Sequence, residues 1–153
     1  MRLWRICRDP HAADTLKGRG GLLASGRWHP KGRRIIYASA TLSLAALEIL
    51  VHTDEDLLPS DLVHVEIEVP DDIDMERIDV RKLPSDWRST PAPRTLQEIG
   101  ADWIDRRVSA VLVVPSAVVP QEDNYLLNPE HADATRFRIV AIERFLFDPR
   151  LGR

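Results

Sequence analysis

Asp61-Leu-Val-His-Val-Glu-Ile-Glu-Val69 sets Val63, Val65, Ile67 and Val69 against His64, Glu66 and Glu68, and stops at Pro70. A period of two sends successive side chains to opposite faces, so this stretch reads as a strand with one face buried and the other wet. It implies a sheet, and further segments can join it. Leu3–Cys7 is short and mixed in character. Arg34–Ala38 carries Ile35, Ile36 and Tyr37. Glu76–Val80 is a short candidate inside the otherwise irregular Asp71–Pro93. Ser109–Val114 is a continuous apolar run ended by Pro115, the pattern of a central strand. Arg136–Phe147 is strand-like, and Asp148–Arg153 is a tail.

Two segments have helical spacing instead. Thr95–Arg107 repeats Leu96, Ile99, Trp103 and Ile104 on one face, an amphipathic helix. Leu42–Val51 is apolar nearly all round, with Ser39 or Thr41 available as its cap and an expected end near Thr53. Asp9–Gly32 contains five glycines and reads mostly as loop. Several strands with two clear helices indicate an α+β fold: a single compact domain over residues 1–153, with a mixed β-sheet core and flanking helices.

A chain of 153 residues with 44% hydrophobic and 29% charged residues is long enough for one real core. Cys7 is the only cysteine, so no internal disulfide forms and a reducing cytoplasm is the simplest expectation. Met1–Asp9 lacks the apolar segment of a secretory signal, and no run approaches the roughly 20 apolar residues of a membrane helix. The net charge of −3 conceals an asymmetry: residues 1–34 hold nine Lys/Arg against two Asp/Glu. Such a segment suits phosphate groups, nucleic acid or an acidic partner, unless the acidic remainder neutralises it in space. With only Trp4 and Trp28 among those residues, the aromatic interleaving of a single-strand groove is missing.

Familiar catalytic signatures are absent. There is no Walker-type Gly-Lys-Ser/Thr and no Gly-x-Ser-x-Gly, and Gly18–Gly21 does not complete a dinucleotide fingerprint. His11, His29, His52, His64 and His131 form no metal-ligand spacing, so no metal is expected.

Glu48 stands out as the one charge in Leu42–Val51. Burial of a lone carboxylate costs several kcal/mol as an order of magnitude, so either a nearby cation holds it or a site uses it. Arg27 lies beside Gly26, where backbone is unobstructed, and its planar fork suits phosphate or carboxylate. Tyr37 ends a strand before the Glu48 helix, and Ser116 follows a presumed central strand, a common place for ligand contacts. Taken singly, each also has an ordinary reading: a surface Arg, a core aromatic, a turn Ser.

Together the segments Gly26-Arg27-Trp28, Tyr37, Ala46-Leu47-Glu48, Val114-Pro115-Ser116 and Asn124-Tyr125-Leu126-Leu127-Asn128-Pro129 resemble the RES domain. The similarity runs from Trp4-Arg5 to Phe147-Asp148-Pro149-Arg150, and the family's naming Arg, Glu and Ser correspond to Arg27, Glu48 and Ser116. His29 departs from the Asn that commonly follows Arg-Trp. The resemblance implies an ADP-ribosyltransferase-like fold and the toxin of a bacterial toxin–antitoxin pair. It also implies consumption of NAD⁺ as substrate, without a further cofactor. The implied partner is an Xre-like helical antitoxin that covers the active site, in a complex that can be oligomeric. Nucleic acid enters only through the antitoxin, and no membrane is involved.

On that basis Glu48, Arg27 and Ser116 are the expected catalytic set, and Arg5, Arg27, Tyr37, Ser116 and Asn128 the expected NAD⁺-binding set. Glu48 would stabilise a ribosyl cation, as carboxylates do around other glycosidic bonds, and Arg27, with Arg5 as a second candidate, would bind the pyrophosphate. Tyr37 would stack on the positively charged nicotinamide. The acceptor of ADP-ribose remains open among water, phosphate and protein. Other readings also stand at this point: an ADP-ribosyltransferase acting on one protein, a nucleic-acid-directed toxin, or an inert interaction module in which Glu48 pairs with an Arg.

Overall fold

The computed structural model describes residues 1–53 and 57–151. Seven strands form one mixed sheet: β1 (Arg2–Arg8), β2 (Ile36–Ser39), β3 (Leu62–Glu68), β4 (Met75–Arg77), β5 (Val111–Pro115), β6 (Asp123–Leu127) and β7 (Arg138–Arg144). Their order is β4-β5-β6-β2-β1-β3-β7. Only β4 and β5 pair parallel; every other neighbouring pair is antiparallel. Among the described residues, four α-helices accompany the sheet: α1 (Asp9–Ala12), α2 (Gly20–Leu23), α3 (Leu42–Leu50) and α4 (Arg94–Arg106).

The alternation in Asp61–Val69 becomes β3, where Val63, Val65 and Ile67 are buried and His64, Glu66 and Glu68 are half-exposed. β5 is buried at every position. Its side chains divide between two cores. Val111 and Val113 join Leu3, Ile36 and Val65 on one face; Leu112 and Val114 join Trp28, Leu96, Trp103 and Ile104 on the other. The second core is where α4 packs, through the apolar stripe expected of it. Gly100 makes this possible: a Cβ there would lie 1.6 Å from the Trp28 carbonyl oxygen, so the helix approaches the Gly26–His29 segment only with glycine.

Asp9–Gly32 is largely irregular, with α1 and α2 as single turns within it. Two expectations need correction. Strand β6 lies in the Pro-punctuated segment after Val114, where no strand is expected. Its first three residues are half-exposed, which removes the alternation a strand usually shows. Finally, α3 is not closed off from solvent. Thr41 caps it by accepting from the Leu44 N–H at 3.1 Å, but it ends at Leu50, and Leu47 and Val51 are exposed. Glu48 itself keeps 24% of its side-chain surface accessible. An apolar sequence face therefore borders an open cleft rather than a closed core.

Candidate active site

Strands β2 and β6 set the geometry. They pair antiparallel with Tyr37 opposite Leu126 and Ser39 opposite Asn124. Residues two apart share a face, so Tyr37, Ser39 and Asn124 all project to the side that carries the Trp28 core. On that side opens a cleft of about 950 Å³ whose lining includes Arg5, Arg27, Tyr37, Ser39, Glu48, His52, Arg88 and Asn124. Its volume is near the upper end of small-molecule sites, roughly 300–1,000 Å³.

Glu48 is the only carboxylate on that lining among the described residues. Ser116 Oγ donates to its Oε1 at 2.8 Å, and Asn124 Nδ2 donates to the same oxygen at 2.6 Å. Both donors are neutral. No arginine or lysine lies within ion-pair distance among the described residues; the nearest basic group is His52, with Nε2 4.0 Å from Oε2. The carboxylate is thus held by one oxygen, and among the described residues Oε2 accepts no hydrogen bond. The alternative of Glu48 locked in an Arg salt bridge does not describe this geometry.

Ser116 is fully buried, and its hydroxyl also accepts from the Val118 and Val119 N–H groups at 3.1 and 3.0 Å. It is not on the cleft lining, so its place is behind Glu48, not against a ligand. Asn128, expected among NAD⁺-binding residues, is also fully buried and away from the lining. Its amide donates to the Ile104 carbonyl at 3.3 Å and accepts from the Glu130 N–H at 3.0 Å, tying α4 to the turn after β6. This corrects that expectation: Asn128 has no path to a ligand in the cleft.

Arg27 does reach the cleft. Its Nη1 donates to the carbonyls of Trp87 at 2.7 Å and Ser89 at 3.1 Å, which anchors the guanidinium and leaves its other nitrogens without protein partners among the described residues. Burial lowers its pKa, partly offset by the Glu48 carboxylate, which places the two groups in electrostatic reach. Arg88 lines the same cleft and adds like-charge repulsion on Arg27. Sequence reasoning missed Arg88, for it lies in an irregular segment with no motif. It is anchored through Nε to the Ala117 carbonyl at 2.9 Å. Arg5 donates from Nη1 to the Tyr37 carbonyl at 2.9 Å, and burial lowers its pKa as well. None of these three arginines has a carboxylate within 4.0 Å among the described residues, whereas surface arginines such as Arg8, Arg77 and Arg106 do.

Tyr37 presents its ring to the cleft, but its hydroxyl is occupied. It accepts from the Trp28 N–H at 3.1 Å and bonds Nδ1 of His29 at 2.8 Å. Burial pushes its pKa upward, so it stays a phenol. Gly26 lies directly over this pair, and a Cβ there would come within 2.7 Å of the Tyr37 oxygen. Among the described residues no group of His, Cys, Asp and Glu has the arrangement of a metal site.

The RES-domain model matches residues 2–148. The chain belongs to the RES-domain family. Relatives of similar length share it end to end. The Prs ADP-ribosylating toxin of a Sphingobium species is 39% identical over 98% of this chain and 96% of its own. A protein named Toxin Res from Yersinia enterocolitica is 40% identical over 99% of both chains. The fold of this RES domain is similar to one in the crystal structure of the M. tuberculosis MbcT–MbcA toxin–antitoxin complex. The TM-score is 0.72 over 99% of this chain and 86% of that one, at 16% identity.

Proposed function

We propose that this RES domain is the toxin of a toxin–antitoxin pair and that it consumes NAD⁺ by breaking the nicotinamide–ribose bond. One observation carries the reading: among the described residues, the cleft is lined by one carboxylate, Glu48, and by three arginines, Arg5, Arg27 and Arg88, none with a carboxylate within 4.0 Å. A dinucleotide offers the complement: two phosphate charges at its centre and, one ribose away, the carbon on which positive charge develops. Arginine forks suit pyrophosphate oxygens, and a carboxylate at the edge of a partly desolvated cleft suits the cation. The names carried by relatives across the whole chain point the same way.

In this reading the bond from C1′ to the nicotinamide nitrogen breaks, and its electron pair leaves with nicotinamide, which becomes neutral. Glu48, whose Oε2 accepts no hydrogen bond among the described residues, lies against the positive charge that grows on the ribose. Arg27 and Arg5 hold the pyrophosphate, and the Tyr37 ring packs on nicotinamide. An oxygen nucleophile adds at C1′ and loses its proton to solvent. The protein works in the cytoplasm, and an Xre-like antitoxin silences it by covering the cleft, whose rim includes the exposed Val51.

Incubation of the purified, antitoxin-free protein with NAD⁺, followed by product identification, tests this. Release of nicotinamide is the expected result; intact NAD⁺ after prolonged incubation rejects it. A second reading, ADP-ribosylation of a protein, is favoured by the name of the Sphingobium relative. NAD⁺ labelled in the adenylate separates the two, since label then appears in protein and not in small molecules.

A further inference from the structure

We propose that Asn124 and Ser39 form a positioning relay that holds Glu48 in its working orientation; the proposal rests on the NAD⁺ reading above. Ser39 Oγ lies 2.7 Å from Asn124 Oδ1, and Asn124 Nδ2 lies 2.6 Å from Glu48 Oε1. The direction of every bond is fixed by chemistry. A carboxylate only accepts, so the amide must turn its NH₂ toward Glu48. Its carbonyl oxygen then faces Ser39, whose hydroxyl must donate. Ser39 is itself buried. The antiparallel pairing of β2 with β6 sets Ser39 directly opposite Asn124, so the register of two strands holds the amide plane. Ser116, directly after β5, donates to the same Glu48 oxygen. Two donors on Oε1 restrict rotation of the carboxylate and direct Oε2 to the cleft.

Other charged and titratable groups bear on Glu48. His52 follows it by one turn of α3. Arg27, from the Gly26–His29 segment, is electrostatically coupled to it. Arg5 of β1 and Arg88 line the same cleft. All four are basic groups, so none adds a negative charge beside Glu48.

Asn124→Asp tests the donor at this position. A protonated carboxyl there still donates to Oε1, as the amide does, while Ser39 donates to its carbonyl oxygen and Ser116 keeps its own bond to Glu48. Once that proton leaves, two carboxylates face each other at hydrogen-bond distance, which like charges do not tolerate. The variant should therefore show its highest kcat at mildly acidic pH. It should lose about 10- to 100-fold as pH rises, a size typical of one charge-assisted hydrogen bond. Asn124→Ala should be slow at every pH, by a similar factor, with KM for NAD⁺ changed far less than kcat. Ser39→Ala should fall between them.

The experiment measures kcat and KM for NAD⁺ across pH for the wild type and these variants, with thermal unfolding recorded alongside. A new alkaline loss in Asn124→Asp, in protein that remains folded, supports the relay. A pH profile of Asn124→Asp parallel to that of wild type overturns the relay while leaving NAD⁺ consumption standing. Loss of Asn124→Asp activity equally at all pH values also overturns it, since the protonated carboxyl then fails as a substitute. A wild-type protein that leaves NAD⁺ intact overturns the underlying reading and the relay with it.

Discussion

The Tyr37 hydroxyl donates to Nδ1 of His29 across 2.8 Å, and this one bond joins the ring that faces the cleft to the loop that carries Arg27. The direction follows from the other ring nitrogen. Nε2 of His29 lies 2.9 Å from the Ala24 carbonyl, which accepts only, so Nε2 carries the proton and Nδ1 is bare. Burial lowers the His29 pKa below its usual 6.5, consistent with a neutral ring.

A pH dependence of stability follows. The folded state resists protonating His29, while the unfolded chain protonates it near the ordinary value. As pH falls through about 6.5, the unfolded state binds the proton first, and stability drops until the folded pKa is also passed. His29→Asn removes this component. The difference in Tm between wild type and His29→Asn should shrink or reverse between pH 7 and pH 5. Two Tm curves that stay parallel across that range would exclude His29 as the group responsible.

Glu48→Gln separates structure from chemistry. The glutamine side-chain oxygen can accept from both Ser116 and Asn124, as Glu48 Oε1 does, so the fold loses little. What disappears is the negative charge facing the cleft. Tm should move by no more than about 1 kcal/mol equivalent, since both hydrogen bonds persist. NAD⁺ turnover should fall by at least about 100-fold, the scale of removing one preorganised electrostatic contact. Expression of Glu48→Gln in bacteria should spare both NAD⁺ and growth. Full turnover by Glu48→Gln would remove the cation-stabilising role.

Much of this fold was legible because burial leaves a period in the sequence. Asp61–Val69 shows it in strand form, and Leu96 to Ile104 shows it in helical form. Strand β6 was not legible, since Asp123, Asn124 and Tyr125 are all half-exposed and carry no alternation. The site divides in the same way. Arg27, Glu48 and Tyr37 are visible as types of residue in a familiar pattern. Ser116 was legible as a member of the set but not as a buried support, and Asn128 belongs to the frame. The relay through Ser39 and Asn124 joins residues 85 positions apart, and Asn124 meets Glu48 across 76. Only the strand pairing brings these together, and no local spacing encodes it.

Gly100→Ala tests the frame behind the cleft. The added Cβ would meet the Trp28 carbonyl at 1.6 Å, a backbone atom that cannot swing aside. Helix α4 must then back away from Gly26–His29, and the hydrogen bond from Gln97 Nε2 to the Gly26 carbonyl at 3.0 Å is strained as well. Destabilisation of about 3 kcal/mol or more is expected, at or beyond the upper range of overpacking. Gly20→Ala is the control, because a Cβ there meets nothing within 4 Å. Chemical denaturation of the two variants gives the comparison; equal midpoints would contradict the close approach.

Arg27 and Arg88 both reach the cleft, but their removal should read differently. Arg27 ties the carbonyls of Trp87 and Ser89, so Arg27→Ala releases that segment and lowers stability together with activity. Arg88 is exposed and makes one anchoring bond, to Ala117, so Arg88→Ala should fold normally. If the Arg88 guanidinium meets a phosphate of NAD⁺, its loss removes binding shared by the ground and transition states. KM then rises by about tenfold with little change in kcat. Added salt should weaken NAD⁺ binding less in Arg88→Ala than in wild type, because one fewer exposed charge is there to screen. The measurement is KM at low and high ionic strength for both proteins. An unchanged KM at low salt would place the pyrophosphate away from Arg88 and leave Arg27 and Arg5 to hold it.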